Sequence, residues 1–372
     1  MSVRLENARR VVVKIGSVLL VDGEKGELRA AWLASLAEDI AALKKRGADV
    51  LIVSSGAIAL GCTVLGLNRR KLELEESQAA AAVGQVALAH GWQQALDAEK
   101  ITTAQVLLTL HDTEDRRRFL NARNTLTQLL KHHVVPVVNE NDTVATSEIR
   151  YGDNDRLAAR VASMISADCL VLLSDVDGLY TKVPSEEGAE HIPQVEEITP
   201  DIQAMAGVAE TDVGSGGMIT KIEAGRIAVN AGAAMVISSG RVNNPLRNIL
   251  DGSRCTWFTP RGTPKAAYKR WIDGILEPSG AIIVDDGACD ALMKGKSLLA
   301  VGVVRVDGAF QKGDAISIRP REGEEIARGI VSYDADDARA IAGRKSGEIA
   351  DILGYRGRDE LVHRDYLVLT RT

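Results

Sequence analysis

Arg10-Val-Val-Val-Lys-Ile-Gly-Ser17 is the stretch on which the fold turns: a β-branched run that ends in a lysine, a glycine and a serine. Short apolar runs of this kind fit strands buried on both faces of a sheet. Similar runs recur at Val50–Val53, Thr103–Leu108, Val134–Val138, Cys169–Leu173 and Ala234–Ile237. Between them lie stretches with helical periodicity: Ala30–Arg46, Glu76–Ala98, Thr113–Lys131, Asp155–Ser166 and Met218–Ala231. Strand and helix alternate, which predicts an α/β fold, a three-layer αβα sandwich around a mainly parallel sheet.

The pattern changes near Pro260–Pro264, where TPRGTPKAAYKRWIDG is rich in turn residues and offers no long apolar element. Beyond it AIIVDDG, SLLAVGVVRVDG, DAISIRP, IARGIVSYD and DYLVLT read as short strands punctuated by Gly and Asp. We therefore expect a first domain over residues 1–262, a linker over 263–276 and a small, mainly β domain over 277–372. A length of 372 residues suits two cores better than one.

Composition narrows the function. With 45% hydrophobic and 26% charged residues the chain is an ordinary globular one, and aromatics at 3% leave packing to aliphatic side chains. The apolar run after Arg9 and Arg10 is too short for a signal segment, and no stretch is long enough to span a membrane, so a cytoplasmic protein is expected. Cys62, Cys169, Cys255 and Cys289 form no C-x-x-C pair, and no H-E-x-x-H occurs, so metal ligands are not identified. A net charge of −6 speaks against nucleic acid, and so do the 14 basic and 17 acidic residues of 277–372.

The polar residues that follow the strands point to chemistry, because open α/β sheets place ligands at those ends. Five runs qualify: Lys14–Ser17, Ser54–Ala57, Asn139–Asp142, Ser174–Gly178 and Gly214–Lys221, the last opening a helix. Glycines let backbone N–H groups approach phosphate oxygens, and a helix N-terminus favours anions. Neither G-x-x-x-x-G-K-[ST] nor a clean G-x-G-x-x-G is present, which sets aside P-loop enzymes and ordinary dehydrogenases. Lys14 and Lys221 are placed to neutralise a transferring phosphoryl group from two sides, with an acid from Gly152–Asp155 to hold them. Taken singly, the Asn-Asp clusters are equally good Asx turns and helix caps, and Gly-Ser-Gly-Gly is more often a plain loop. Recurrence at five strand ends favours the functional reading.

The runs VVKIGS (12–17), VSSGAI (53–58), AAVGQ (81–85), RFLNARNTL (118–126), VPVVNENDTV (135–144), YGDNDRLAA (151–159), GSGGMITK (214–221) and DILGYRG (351–357) resemble the glutamate 5-kinases, in order and over nearly the whole chain. The resemblance implies an amino-acid-kinase domain followed by a PUA-like domain, and transfer of the ATP γ-phosphoryl group to the γ-carboxylate of L-glutamate with Mg²⁺. It assigns Lys14 and Lys221 to the phosphates and Asp155 to organising them. Glutamate falls to Ser55, Asp142 and Asn154; ATP falls to Lys14, Ser174, Asp175, Ser215, Gly216, Gly217, Met218, Ile219, Thr220 and Lys221. Ser174 and Ser215 stand where the family often has Thr, which keeps the hydroxyl. The resemblance further implies inhibition by proline, hand-over of product to glutamyl phosphate reductase, and a homo-oligomer, dimer or tetramer. Aspartate, acetylglutamate and nucleoside-monophosphate kinases share the glycine-rich pieces, but NENDTV with GDND and the C-terminal β domain set them apart.

Overall fold

A computed structural model describes residues 4–144, 153–206, 217–273 and 278–370. The chain divides into two compact units, Met1–Pro264 and Lys265–Thr372. The strands of the main sheet of the first are β1 (Arg10–Ile15), β2 (Asp49–Val53), β3 (Thr103–Leu108), β4 (Val135–Glu140), β5 (Cys169–Ser174), β6 (Gln194–Val195), β7 (Ala234–Ser239) and β8 (Cys255–Phe258). They form an eight-stranded sheet in the order β3-β4-β2-β1-β5-β7-β8-β6. Strands β3 to β7 along that order are parallel neighbours, whereas β8 runs antiparallel to β7 and carries β6 parallel to itself. The six strands read from the sequence make the parallel part. The two at the edge were not foreseen: β6 has two residues, and β8 alternates half-buried with buried positions, a weak signal at that length.

Six principal helices cover the sheet: α1 (Ala30–Lys45), α2 (Ala57–Leu65), α3 (Leu74–Ala98), α4 (Arg116–Lys131), α5 (Asp153–Met164) and α6 (Met218–Asn230). Alternation along β1 sends Val11, Val13 and Ile15 into a core with Leu36, Ile40 and Trp92, and Val12 into a second core with Leu157, Val161 and Ala224. Lys14 therefore lies on the α5–α6 face, with Val12. Helices α2 and α3 meet at bare backbone: a Cβ on Gly61 would fall 1.7 Å from the Ala80 carbonyl oxygen, and one on Gly84 1.8 Å from that of Ala57.

The helix expected over Thr113–Lys131 is broken. A short helix ends at Glu114, Asp115 turns extended at φ −69°, ψ 122°, and its carboxylate accepts from Arg118 N at 2.9 Å to start α4. Asp115 acts as a cap, and a cap interrupts periodicity without changing composition. A second correction concerns the turn-rich stretch after Pro260, part of which is helical, Pro264–Asp273. Its first residue is proline, whose missing N–H costs nothing in a first turn.

The second unit holds a five-stranded sheet of β9 (Gly280–Val284), β10 (Val303–Gly308), β11 (Ala315–Pro320), β12 (Ala327–Ile330) and β13 (Leu367–Leu369), ordered β10-β9-β11-β12-β13. Each comes from a run read as a strand. Its core is separate, with Ile282, Val284, Ile316, Ile318 and Leu361 at the centre. Cys62 and Cys169 are buried thiols, and none of the four cysteines is paired. No helix among the described residues is long and apolar enough to cross a membrane.

Candidate active site

Three charged side chains meet in the first unit where water is excluded. Lys14 comes from the end of β1, Asp155 from the first turn of α5 and Lys221 from the first turn of α6. Lys14 Nζ lies 2.6 Å from Asp155 Oδ1 and Lys221 Nζ 3.2 Å from Asp155 Oδ2. Relative exposures are 8% for Lys14, 0% for Asp155 and 5% for Lys221. Thr220 adds a third donor, its hydroxyl 3.0 Å from Asp155 Oδ2.

Burial is the largest influence on Asp155 and acts to raise its pKa, but the two ammoniums and their hydrogen bonds together outweigh it, so the carboxyl sits below the ordinary range. For Lys14 burial prevails: it pulls the ammonium's pKa down against the attraction of Asp155, and Lys221 adds to the fall. One carboxylate between two cations leaves a net positive charge. That is an arrangement for receiving an anion.

A second group lies at the ends of β2 and β4. Ser55 follows β2, just before Gly56, whose φ of +100° lets the chain turn into α2. Asn154, beside Asp155, donates from Nδ2 to Ser55 Oγ at 2.9 Å and lies 3.5 Å from Asn139 Oδ1. Asn139 is 2% exposed and donates from its own Nδ2 to Gln85 Oε1 on α3 at 2.8 Å. Asn154 Oδ1 is buried with no partner among the described residues. Asp142, in the turn after β4, has its carboxyl pushed up to about 6 by burial.

A third group follows β5. Ser174 is buried and its hydroxyl donates to Asp175 Oδ1 at 3.0 Å, while Arg241 after β7 reaches the Asp175 carbonyl through Nε at 3.1 Å. Gly16 N donates to Leu173 O at 3.2 Å, so the loop after β1 is tied to the end of β5.

The structure brings Lys14, Asp155 and Lys221 into contact, joins Ser55 to Asn154, and sets Ser174 beside Asp175. Gly217, Met218, Ile219 and Thr220 open α6, Gly217 at its N-cap. Ser215 and Gly216 lie outside the described residues. Sequence reading passed over two residues of the polar group. Asn139 was visible only as one member of an Asn-Asp run, and Gln85 only within AAVGQ; nothing local says that a helix residue and a strand-end residue 54 positions apart are bonded.

Comparison with known proteins adds identity to this geometry. The model of the amino acid kinase family matches residues 9–239, and that of the PUA domain matches 280–353. Glutamate 5-kinase of Bradyrhizobium sp. is 59% identical over 369 residues, 99% of this chain and 98% of that protein. This chain belongs to the glutamate 5-kinase branch of the amino acid kinase family. Glutamate 5-kinase of Paramagnetospirillum magneticum is 58% identical over 366 residues, covering 98% of this chain and 99% of that protein. Among solved structures, carbamate kinase from Giardia lamblia bound to AMP-PNP is similar at 17% identity and a TM-score of 0.49, over 68% of this chain and 98% of that one.

Proposed function

We infer that this member of the glutamate 5-kinase family transfers the γ-phosphoryl group of ATP to the γ-carboxylate of L-glutamate, giving L-glutamyl 5-phosphate and ADP, the first step of proline biosynthesis. The observation that carries the reading is the buried Lys14–Asp155–Lys221 triad in a chain that matches glutamate 5-kinases end to end. A carboxylate nucleophile is already ionised at neutral pH, so no general base is required. One γ-carboxylate oxygen forms the new bond to the γ-phosphorus while the bond to the β–γ bridging oxygen breaks and that oxygen leaves with ADP. The charge spread over the transferring group is what the chain must neutralise, and positioning supplies the rest.

We assign Lys14 and Lys221 to the phosphates, with Asp155 holding both at fixed places. Ser55, Asp142 and Asn154 hold glutamate: the Asp142 carboxylate and the free Asn154 Oδ1 are acceptors suited to its α-ammonium. Ser174, Asp175 and the segment 215–221 hold the nucleotide. The described residues contain no group of three or more His, Cys, Asp or Glu that could cage a metal ion. Mg²⁺ would arrive with ATP on its phosphate oxygens and would neutralise part of the phosphate charge. Proline as an inhibitor overlapping the glutamate site, hand-over of the labile acyl phosphate to glutamyl phosphate reductase, a homo-oligomer and a cytoplasmic location complete the proposal, with residues 277–372 as a domain apart from the kinase and 263–276 as linker.

The test is an ATP-turnover assay with Mg²⁺ and hydroxylamine, comparing glutamate with aspartate, N-acetylglutamate and UMP. Hydroxamate formed with glutamate alone is expected. Folded protein that gives no glutamate-dependent hydroxamate would overturn the reading.

A further inference from the structure

We propose that Gln85, through Asn139, sets which end of the Asn154 amide faces the substrate, and thereby makes the site selective for a free α-ammonium group. The proposal rests on the glutamate reading above and deepens it. An amide side chain has one accepting and one donating end, and a chain of amides passes that polarity along. Here Gln85 Oε1 takes the proton of Asn139 Nδ2 at 2.8 Å. Asn139 therefore turns its Oδ1 toward Asn154, whose Nδ2 lies 3.5 Å away and donates to Ser55 Oγ at 2.9 Å. With its nitrogen so occupied, Asn154 leaves only Oδ1, and that atom is buried and unpartnered among the described residues.

An orphaned buried acceptor costs stability unless a ligand supplies a proton. An ammonium answers that need and a carboxylate does not. Were the relay reversed, Asn154 would present an NH₂ group and the site would favour an anion. Ser55 does not fix the direction, because a hydroxyl either donates or accepts. In the proposal the direction follows Gln85, whose Oε1 is the end turned to Asn139. Gln85 is on α3, held against the sheet through the close α2–α3 contact at Gly61 and Gly84 and through Trp92 Nε1, which donates to buried Ser54 at 2.9 Å. It touches no reacting atom in this reading, so it is a positioning residue.

The experiment compares glutamate with glutarate, which keeps both carboxylates and lacks the ammonium, in the hydroxamate assay. Gln85→Met removes the acceptor while keeping length and helix propensity; Gln85→Glu keeps an acceptor at the same place. Thermal midpoints confirm that both variants are folded. In Gln85→Met the ratio of kcat/KM for glutamate over glutarate is expected to fall by about tenfold or more, the worth of one hydrogen bond to a charged group. The loss should be in glutamate KM, with glutarate turnover unchanged. Gln85→Glu should hold the ratio within about threefold of the parent. Equal loss for both substrates in Gln85→Met would mark a purely structural role and overturn the proposal, as would an unchanged ratio or equal collapse in Gln85→Glu. Parent protein inactive on glutamate would instead overturn the functional reading, so the two failures are separable.

Discussion

Replacing Asp155 with Asn tests the centre of the site most directly. The substitution keeps shape and removes one charge from a group that is fully buried between two ammoniums at 2.6 and 3.2 Å. Removing one partner from a buried ionic cluster costs about 3–5 kcal/mol, because the remaining charge is left without compensation in a poor solvent. At roughly 2–4 °C per kcal/mol for a unit of this size, the first unit should lose on the order of 6–20 °C in thermal midpoint. Since the cluster is buried, adding salt should change the loss little. With its anchor gone, the lysine pair no longer meets the transferring group in one geometry, and kcat should fall by about 10²–10³-fold. The variant also has a pH signature. Burial already pulls Lys14 down and Asp155 opposes it, so without Asp155 the lysine loses its proton sooner as pH rises. Residual kcat should therefore be higher at mildly acidic than at mildly alkaline pH. A scanning calorimetry midpoint within a degree of the parent, together with unaltered kcat, would refute the argument that this carboxylate organises the two cations.

Lys221→Ala should lower kcat by about 10²-fold or more with glutamate KM within about threefold, read from steady-state kinetics; a change confined to KM would contradict its role on the phosphoryl group. On the proposed assignment Asp142, pushed up to about 6 by burial, would hold the glutamate ammonium only when ionised. Glutamate KM should accordingly rise as pH falls through 6, by about tenfold between pH 7.5 and pH 5, and Asp142→Asn should abolish that dependence while raising KM throughout. Gly84→Ala would drive a Cβ to 1.8 Å from the Ala57 carbonyl oxygen; forcing α3 away from α2 should cost about 1–3 kcal/mol, seen as a lower midpoint in chemical denaturation.

What could be read in advance follows from how far each signal reaches along the chain. Most of the parallel strands announce themselves because they are buried on both faces and hence read as short apolar runs, as in Val11–Val13 and Val50–Val53, although the edge strand Thr103–Leu108 is mostly half-buried. Lys14 and the acidic run Gly152–Asp155 drew attention because polar runs recur at the strand ends, and Asp155 itself was singled out by the family resemblance. Asp115 was not legible as a break, since only its backbone angles distinguish a cap from another polar residue on a helix face. Strand β8 was missed for a related reason: its partner β7 supplies most of its order, and four residues carry too little pattern of their own. The polar relay lies beyond sequence altogether, because Gln85 acquires meaning only when α3 brings it beside Asn139.

The placement of Asp155 also answers a physical difficulty in any site that must hold two lysines away from water. A pair of buried ammoniums without a counter-charge would shed a proton and be lost as a phosphate trap. A carboxylate that bonds both, with the Thr220 hydroxyl on one of its oxygens, opposes the pull of burial on the Lys14 ammonium and holds the two side chains in place. Phosphates entering there would meet cations already held in place, which need not be reorganised at the moment of transfer. Such preorganisation is what a reaction without a general base depends on. At the proposed glutamate end Asn154 Oδ1 is buried and unpartnered among the described residues, an acceptor that the substrate's ammonium would satisfy. On the proposed assignment Lys14 offers a cation to one reactant and Asn154 a neutral acceptor to the other, and Asn154 and Asp155, neighbours in a single turn, link the two. A substitution that shifts the start of α5 would disturb both at once, raising glutamate KM and lowering kcat together, whereas changes at Lys221 or Gln85 should affect one and spare the other.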